Sequence, residues 1–100
     1  MAKIINKDLL RSYHSKTCII CNAQAEPHHI YHRSQHHGLD IDDNLLPLCR
    51  IHHARLHQGG LTKFVEHFPS LESILFTKGW EFDIYNQKWQ NYDILEQTYE

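Results

Sequence analysis

The order of apolar and polar residues predicts four elements in the first half of the chain. A short helix capped by Asn6 comes first, and two extended segments and a second helix follow. The stretch PHHIYH, residues 27–32, predicts a strand, because a proline precedes its apolar residues and disfavours a helix. The apolar run NLLPL, residues 44–48, predicts a second extended segment, since Pro47 again disfavours a helix. A helix is predicted from residue 50 onward, and the Gly-Gly pair after its last histidine is expected to end it.

The C-terminal third predicts two further helices followed by extended chain. Residues 61–68, LTKFVEHF, place four apolar side chains on one helical face, and residues 70–79 predict another helix that ends at a glycine. Residues 80–85, WEFDIY, alternate between apolar and polar side chains as a half-buried strand does. The Asn-Gln pair at 86–87 then predicts a turn back into KWQNYDIL, residues 88–95. This third is expected to contribute packing rather than chemistry.

The length predicts one small domain, residues 1–100. A chain of this size buries only roughly 60–68% of its unfolded surface, so metal, disulfides or oligomerisation are expected to help stabilise it. The apolar fraction, 41%, argues against disorder. The apolar runs are too short to span a membrane, and the N-terminal residues have no long apolar core of a secretory signal. We therefore expect a cytoplasmic protein with no membrane partner, while its oligomeric state is left open.

Charge is unevenly distributed along this histidine-rich chain. The ten histidines are unusual for 100 residues, and the formal net charge of −2 argues by itself against a nucleic-acid-binding protein. Residues 1–63, however, carry eight Lys/Arg against five Asp/Glu, whereas residues 64–100 carry two Lys against seven Asp/Glu. The first part is therefore mildly basic, and a bound divalent metal would make it more so. This distribution permits DNA binding without requiring it.

The three cysteines indicate metal ligation, because an odd number in a chain without an export signal argues against a disulfide framework. Cys18 and Cys21 are separated by two residues, a common half-site for zinc. Cys49 and His52 repeat the same spacing. Together they predict a closed, structural Cys3His site for Zn²⁺, against the alternative of buried cysteines without metal.

The neighbouring histidines predict a second metal site. His53 and His57 are four residues apart and share one face of a helix, whereas His52 and His57, five apart, do not. A further ligand must come from outside this helix, and the pair His28-His29 on the predicted strand is the obvious donor. Adjacent strand residues point to opposite sides, so one histidine of the pair can bind metal while the other faces a different target.

These residues carry a resemblance to the HNH (His-Asn-His) endonucleases, the ββα-metal or His-Me finger nucleases, especially small phage and bacterial members with a zinc knuckle. The order is a His-His doublet, an Asn and a His-x3-His; His29 to Asn44 is 15 residues, Asn44 to His53 is 9, and His53 to His57 is 4. The resemblance runs from the first cysteine to the last of these histidines and hardly touches the C-terminal third. One departure is that His52 stands where many relatives have a fourth cysteine, and histidine is also a zinc ligand.

The resemblance implies metal-dependent hydrolysis of DNA phosphodiester bonds that leaves 5′-phosphate and 3′-hydroxyl ends. It implies that His28, His53 and His57 hold one catalytic divalent ion, Mg²⁺, Mn²⁺, Ni²⁺ or Zn²⁺. His29 would then be the general base, and Asn44 would brace the loop and orient His29 through hydrogen bonds to backbone.

The fold implied is α+β: a ββα-metal core in residues 18–60 with a zinc knuckle, and a packing extension of helices and strands in residues 61–100. DNA is the expected partner, along with phage or host DNA-processing proteins, in the host cytoplasm if a phage encodes the chain. Arg33, Arg50 and Arg55 are candidates for phosphate contacts, although ordinary solvated arginines explain each of them equally well.

Several alternatives bear on this interpretation. A non-catalytic zinc-binding module for DNA or protein could keep the same fold, but it has no need of a base such as His29 beside a metal ligand. RNA is a substrate that these residues do not distinguish from DNA. A Cys2His2 zinc finger fails on spacing, because 31 residues separate Cys21 from His53 where that finger has ~12–15. A zinc metalloprotease is excluded at the motif level, since no His-Glu-x-x-His occurs. His32 is either structural or close to the substrate.

Overall fold

A computed structural model describes residues 4–32 and 38–98. Within them the chain forms a small α+β domain with four α-helices and two two-stranded antiparallel sheets, which confirms the predicted class. The helices are α1 (Lys7–Ser12), α2 (Arg50–His67), α3 (Leu71–Thr77) and α4 (Tyr92–Thr98), and the strands are β1 (Glu26–His29), β2 (Leu45–Leu48), β3 (Glu81–Asp83) and β4 (Lys88–Gln90). Arg33 and the pair His36-His37 lie outside the described residues. No described helix has both the length and the apolar character needed to cross a membrane.

Strands β1 and β2 form the first sheet, with His28 opposite Leu46 and His29 opposite Leu45. Both strands were predicted, although β1 ends at His29 rather than at residue 32. The pairing continues one step further, because the Ile30 N–H donates to the backbone oxygen of Asn44 at 2.9 Å. The doublet therefore lies on the last two positions of a strand whose partner leads directly into α2.

A tight turn holds the first two cysteines in front of this sheet. The backbone N–H of Cys18 donates to the Ala23 oxygen at 2.7 Å, and the Asn22 N–H donates back to the Cys18 oxygen at 2.9 Å. Asn22 has a φ of 64°, a left-handed conformation that asparagine tolerates better than most residues. The Ile19 N–H donates to the Pro47 oxygen at 3.1 Å, which ties the turn to β2. The predicted knuckle is thus joined by backbone bonds to the strand that precedes Cys49.

Helix α2 is two helical segments joined at a break. Gly60 has φ 80° and ψ 166°, so the predicted stop at the glycine pair is confirmed as a kink, after which the helix resumes and ends at His67. Leu56 before the break and Phe64 and Val65 after it are buried. The kink allows both segments to turn an apolar face towards the same core.

One apolar cluster joins the two halves of the chain. It combines leucines of β2 with Trp80, Trp89 and Ile94 from the C-terminal third. The full set of its large apolar members is Leu39, Leu46, Leu48, Leu56, Phe64, Val65, Leu71, Leu75, Trp80, Trp89 and Ile94. The expectation that the C-terminal third packs against the rest is therefore confirmed.

The last segment differs from the prediction. We expected extended chain through residues 88–95, but β4 ends at Gln90 and α4 begins at Tyr92. The reason is Asn91, which is fully buried and caps the helix: its Oδ1 accepts from the Ile94 N–H at 3.1 Å. Its Nδ2 donates to the Lys78 oxygen at 3.0 Å, which fixes the cap against the end of α3.

The C-terminal third also fastens the turn that carries Asn44. The indole N–H of Trp80 donates to the Asp43 oxygen, and the Lys78 ammonium donates to the Asp42 oxygen at 2.8 Å. From the other side, the Tyr13 hydroxyl donates to the Asp42 carboxylate at 2.7 Å. The turn Asp42–Asn44 is thus held from three sides before β2 begins.

The kink gives a direct test of the fold. Gly60→Ala is expected to lower the free energy of unfolding by roughly 1–3 kcal/mol, because the φ and ψ at this position are essentially restricted to glycine. Gly59→Ala is the matched control: it meets only ordinary contacts with Lys63 and should be neutral or stabilise by about 0.5–1 kcal/mol, as alanine does in a helix. Urea unfolding of both variants measures the difference, and equal stabilities would contradict the kinked conformation.

Candidate metal centres

The first centre comprises the four residues that the spacing of the cysteines singled out. The ligand atoms of Cys18, Cys21, Cys49 and His52 all lie within 4.8 Å of one another. The Cys21 and Cys49 sulfurs are 3.7 Å apart, and His52 Nδ1 lies 3.7 Å from the Cys18 sulfur and 3.3 Å from the Cys49 sulfur. Ordinary zinc bond lengths in a tetrahedron give edges of about 3.8 Å between sulfurs and about 3.6 Å between sulfur and nitrogen. The cluster therefore has the composition and size to hold a structural metal such as zinc.

The surroundings of Cys18 favour the thiolate that zinc requires. Burial by itself raises the pKa of this thiol, but backbone N–H groups of Cys49, Ile20 and Cys21 donate to its sulfur and bring the pKa below its ordinary value. A closed set of three sulfurs and one imidazole leaves no position for substrate. A metal held by these four ligands would therefore stabilise the fold rather than take part in catalysis.

The second centre lies where β1 meets the first half of α2. Here the structure brings together His28, His53 and His57, whose ring nitrogens also lie within 4.8 Å of one another. The His28 ring meets the His53 ring at 4.4 Å and the His57 ring at 5.6 Å, edge to face in both cases. The rings of His53 and His57 stack at 5.0 Å, as expected for residues four apart on a helix.

Two rings of this second centre, those of His28 and His53, are favoured in the uncharged state. Burial, together with the neighbouring imidazoles of His53 and His57, lowers the pKa of His28 to about 3. Burial also lowers the pKa of His53, with His57 adding to the effect. At neutral pH His28 and His53 therefore offer lone pairs rather than protons, which is the state that ligates a metal.

His29 points away from the second centre, as alternation along a strand requires. Its Nε2 lies 2.7 Å from Oδ1 of Asp40, whose side chain is 1% exposed, while that of His29 is 14% exposed. Asp40 was not predicted from the sequence. It is one acidic residue of the polar loop before Asn44, and no rule of spacing connects it to His29.

Asn44 fastens both ends of the loop between the strands. Its Oδ1 accepts from the Tyr31 N–H at 2.8 Å, and its Nδ2 donates to the oxygens of Tyr31 at 3.1 Å and Leu39 at 3.0 Å. The residue is completely buried. These bonds are the backbone contacts expected of it, and aspartate could not make the two that need a donor. Asn44 thereby fixes the chain on either side of the segment that connects His29 to Asp40.

The two candidate arginines that the structure describes, Arg50 and Arg55, each contact a side chain outside the second centre. Arg50 is exposed, with its Nε 3.5 Å from the carboxylate of Glu26. The guanidinium of Arg55 lies over the ring of Phe68 at 5.6 Å, a cation–π contact within α2 and its end. A phosphate contact by either arginine stays a prediction.

His32 lies beside the second centre. Its ring is 5.4 Å from that of His57, and it borders a cavity of about 110 Å³ together with His28 and His57. Leu56 and Ile30 form part of the apolar side of the same cavity. Two roles were predicted for His32, a structural one and one close to the substrate. Its position beside the cavity favours the second, in contact with a molecule bound next to the imidazoles.

Comparison with family models, curated proteins and solved structures finds no match for this chain. The chemistry of the two centres is therefore argued from their residues and geometry.

Substitutions should separate the two centres. Cys18→Ser is expected to lose tightly bound zinc and to unfold, because structural zinc binding contributes about 10–16 kcal/mol to the folding of small metal-dependent domains. His53→Ala should keep one tightly held zinc per chain and its circular dichroism spectrum, since His53 belongs to the other centre. Metal content after dialysis against a weak chelator measures both. A Cys18→Ser protein that retains its zinc and its fold would contradict the assignment.

Proposed function

We propose that the protein is a metal-dependent endonuclease of the HNH, or ββα-metal, kind that hydrolyses DNA phosphodiester bonds to 5′-phosphate and 3′-hydroxyl ends. The observation that carries the proposal is the division of the doublet. His28 joins the three-imidazole cluster, while its neighbour His29 faces the other side of the strand against a buried carboxylate. A metal-binding group beside a separately held imidazole is the arrangement that hydrolysis with a general base needs.

The elements around this doublet support the same proposal. Two antiparallel strands are followed at once by a helix, and the three metal-binding candidates come from β1 and the first turns of α2. This order matches a ββα-metal core. The Cys3His centre would hold the start of α2 against the knuckle, and so keep His53 and His57 in place relative to His28.

The cluster of His28, His53 and His57 fits a divalent metal, because it supplies three nitrogen ligands, and the pKa values of His28 and His53 are lowered towards the neutral form that binds metal. Three ligands would leave other positions of the ion open. Such an ion would supply charge neutralisation at the scissile phosphate and at the departing 3′ oxygen. Imidazole ligands suit Zn²⁺ and Ni²⁺, whereas Mg²⁺ and Mn²⁺ prefer oxygen, and all four belong in the test.

The protein's own residues then account for the removal of the proton from water, and solvent supplies the proton for the leaving group. His29 takes a proton from water as the water oxygen attacks phosphorus, and the bond from phosphorus to the 3′ oxygen breaks. The leaving 3′ oxygen receives a proton from solvent, which gives the 3′-hydroxyl and the 5′-phosphate. Asn44 bonds to the backbone of Leu39, next to Asp40. It thereby helps to place Asp40, whose carboxylate sets the direction of the His29 ring.

DNA is the proposed partner. The protein would act on it in the cytoplasm, alone or together with phage or host DNA-processing proteins. The net charge of −2 predicts weak non-specific affinity, with a shallower salt dependence than that of strongly basic nucleases. Residues 64–100 carry seven Asp/Glu and only two Lys. We expect this part of the chain to face away from DNA, because its net negative charge would repel the phosphates.

Cleavage assays test the proposal directly. Supercoiled plasmid, single-stranded DNA and RNA would be incubated with protein that keeps its tight zinc, with Mg²⁺, Mn²⁺, Ni²⁺ or Zn²⁺ added. We expect metal-dependent cutting of DNA that His29→Ala slows by roughly 10²–10⁴-fold, the usual contribution of a general base, without loss of the tight zinc. His53→Ala should abolish cutting because it removes a metal ligand.

His67→Ala is the matched control, since His67 is an exposed histidine of the same helix outside both centres. Its rate should equal that of wild type. A wild-type protein that holds zinc but cuts no substrate with any metal would overturn the nuclease proposal in favour of a non-catalytic zinc-binding module. Cutting of RNA but not of DNA would show that the substrate is RNA and would overturn the proposed DNA specificity.

A further inference from the structure

Asp40 is a buried carboxylate held on both of its oxygens. Oδ1 lies 2.7 Å from His29 Nε2, and Oδ2 accepts from the backbone N–H of Asn6 at 2.9 Å. Its own backbone N–H donates to the Ile4 oxygen at 3.0 Å. With 1% of its surface exposed, this side chain cannot turn to solvent without breaking these contacts. Its position is therefore fixed by the N-terminal segment, outside the strands and α2.

A carboxylate only accepts hydrogen bonds, so the neutral His29 ring that meets it must carry its hydrogen on Nε2. The lone pair then lies on Nδ1, on the other side of the ring. In the opposite tautomer, two acceptors would face each other at 2.7 Å within a mostly buried contact, which is unfavourable.

We propose that Asp40 is a positioning residue that fixes the tautomer and the direction of His29, and so makes Nδ1 the nitrogen that accepts the proton from water. The role given to Nδ1 rests on the proposed nuclease function, whereas the tautomer follows from the contact itself. Asp40 is not one of the candidate metal ligands, and its proposed role is exerted through His29. The segment of residues 4–6 supports the site through Oδ2.

The substitution Asp40→Asn tests this with almost no change of shape. The Asn6 N–H still needs an acceptor, so the amide oxygen should take the Oδ2 position and the amide NH2 should face His29. His29 Nε2 must then accept, which places the hydrogen on Nδ1 and removes the lone pair that the reaction uses. A wrong tautomer is expected to lower kcat by roughly 10²-fold or more, with little effect on KM for DNA.

Asp43→Asn is the matched control. It makes the same chemical change on an exposed residue of the turn that follows Asp40. Trp80 contacts the backbone oxygen of Asp43 and not its carboxylate, so that contact is kept. Asp43→Asn should leave the tautomer, kcat and zinc content as in wild type. Zinc content and circular dichroism check that Asp40→Asn is folded.

The tautomer is read from the ¹⁵N shifts of the His29 ring in zinc-loaded protein, at a pH about two units above the ordinary histidine pKa of ~6.5. His29→Ala identifies the signals. We expect wild type to carry hydrogen on Nε2 and Asp40→Asn to carry it on Nδ1. Hydrogen on Nδ1 in wild type overturns the proposal, and this reading does not require Asp40→Asn to fold.

The two proposals fail in different ways. If wild type cuts DNA and Asp40→Asn cuts equally fast, the positioning role is overturned and the nuclease stands. If wild type cuts nothing but shows the expected tautomer and its reversal, Asp40 still sets the state of His29 and only the nuclease fails. A lower kcat with an unchanged tautomer also overturns the role, because it would show that Asp40 acts by another route.

Discussion

The passage from β2 into α2 at Cys49 is the constraint on which both metal centres depend. Cys49 is the last residue before the helix, and its backbone oxygen accepts from the His53 N–H at 2.8 Å. Within that single turn, His52 reaches back to the Cys49 sulfur, whereas the next residue, His53, faces His28 on β1. The rotation of about 100° per residue of an α-helix separates two neighbouring histidines into two centres. A shift of the helix start by one residue would send each to the wrong centre.

The other half of the site depends on a loop whose ends are fastened by buried polar groups. Asn44 bonds to the backbone on both sides of the loop, and Asp40 bonds to His29 and to the N-terminal segment. Such groups would be costly to bury without partners, so their bonds hold the described ends of the loop in place. The C-terminal third contributes here too, because Trp80 and Lys78 hold the turn before Asn44. What appeared in the sequence as simple packing therefore also supports the position of the candidate base.

Local rules were sufficient where the ligands lie close together in sequence. The spacing of Cys18 and Cys21 predicts a knuckle, and helical periodicity alone separates His52 from His53. The contact between His29 and Asp40 could not be predicted in this way, because it depends on how a polar loop returns to the strand. The helix after Asn91 was missed for a similar reason: it begins at a buried cap whose side chain bonds to the end of α3, and no local pattern in residues 88–95 shows that contact.

Two separate centres, one of sulfur and nitrogen and one of nitrogen alone, are expected on either side of one helical turn. X-ray absorption at the zinc edge, on protein with one and then two equivalents of zinc, distinguishes them by their ligands. We predict three sulfurs and one nitrogen around the first ion, and only nitrogen and oxygen around the second. A second ion that also shows sulfur ligands, or a chain that binds no second ion, would contradict the account.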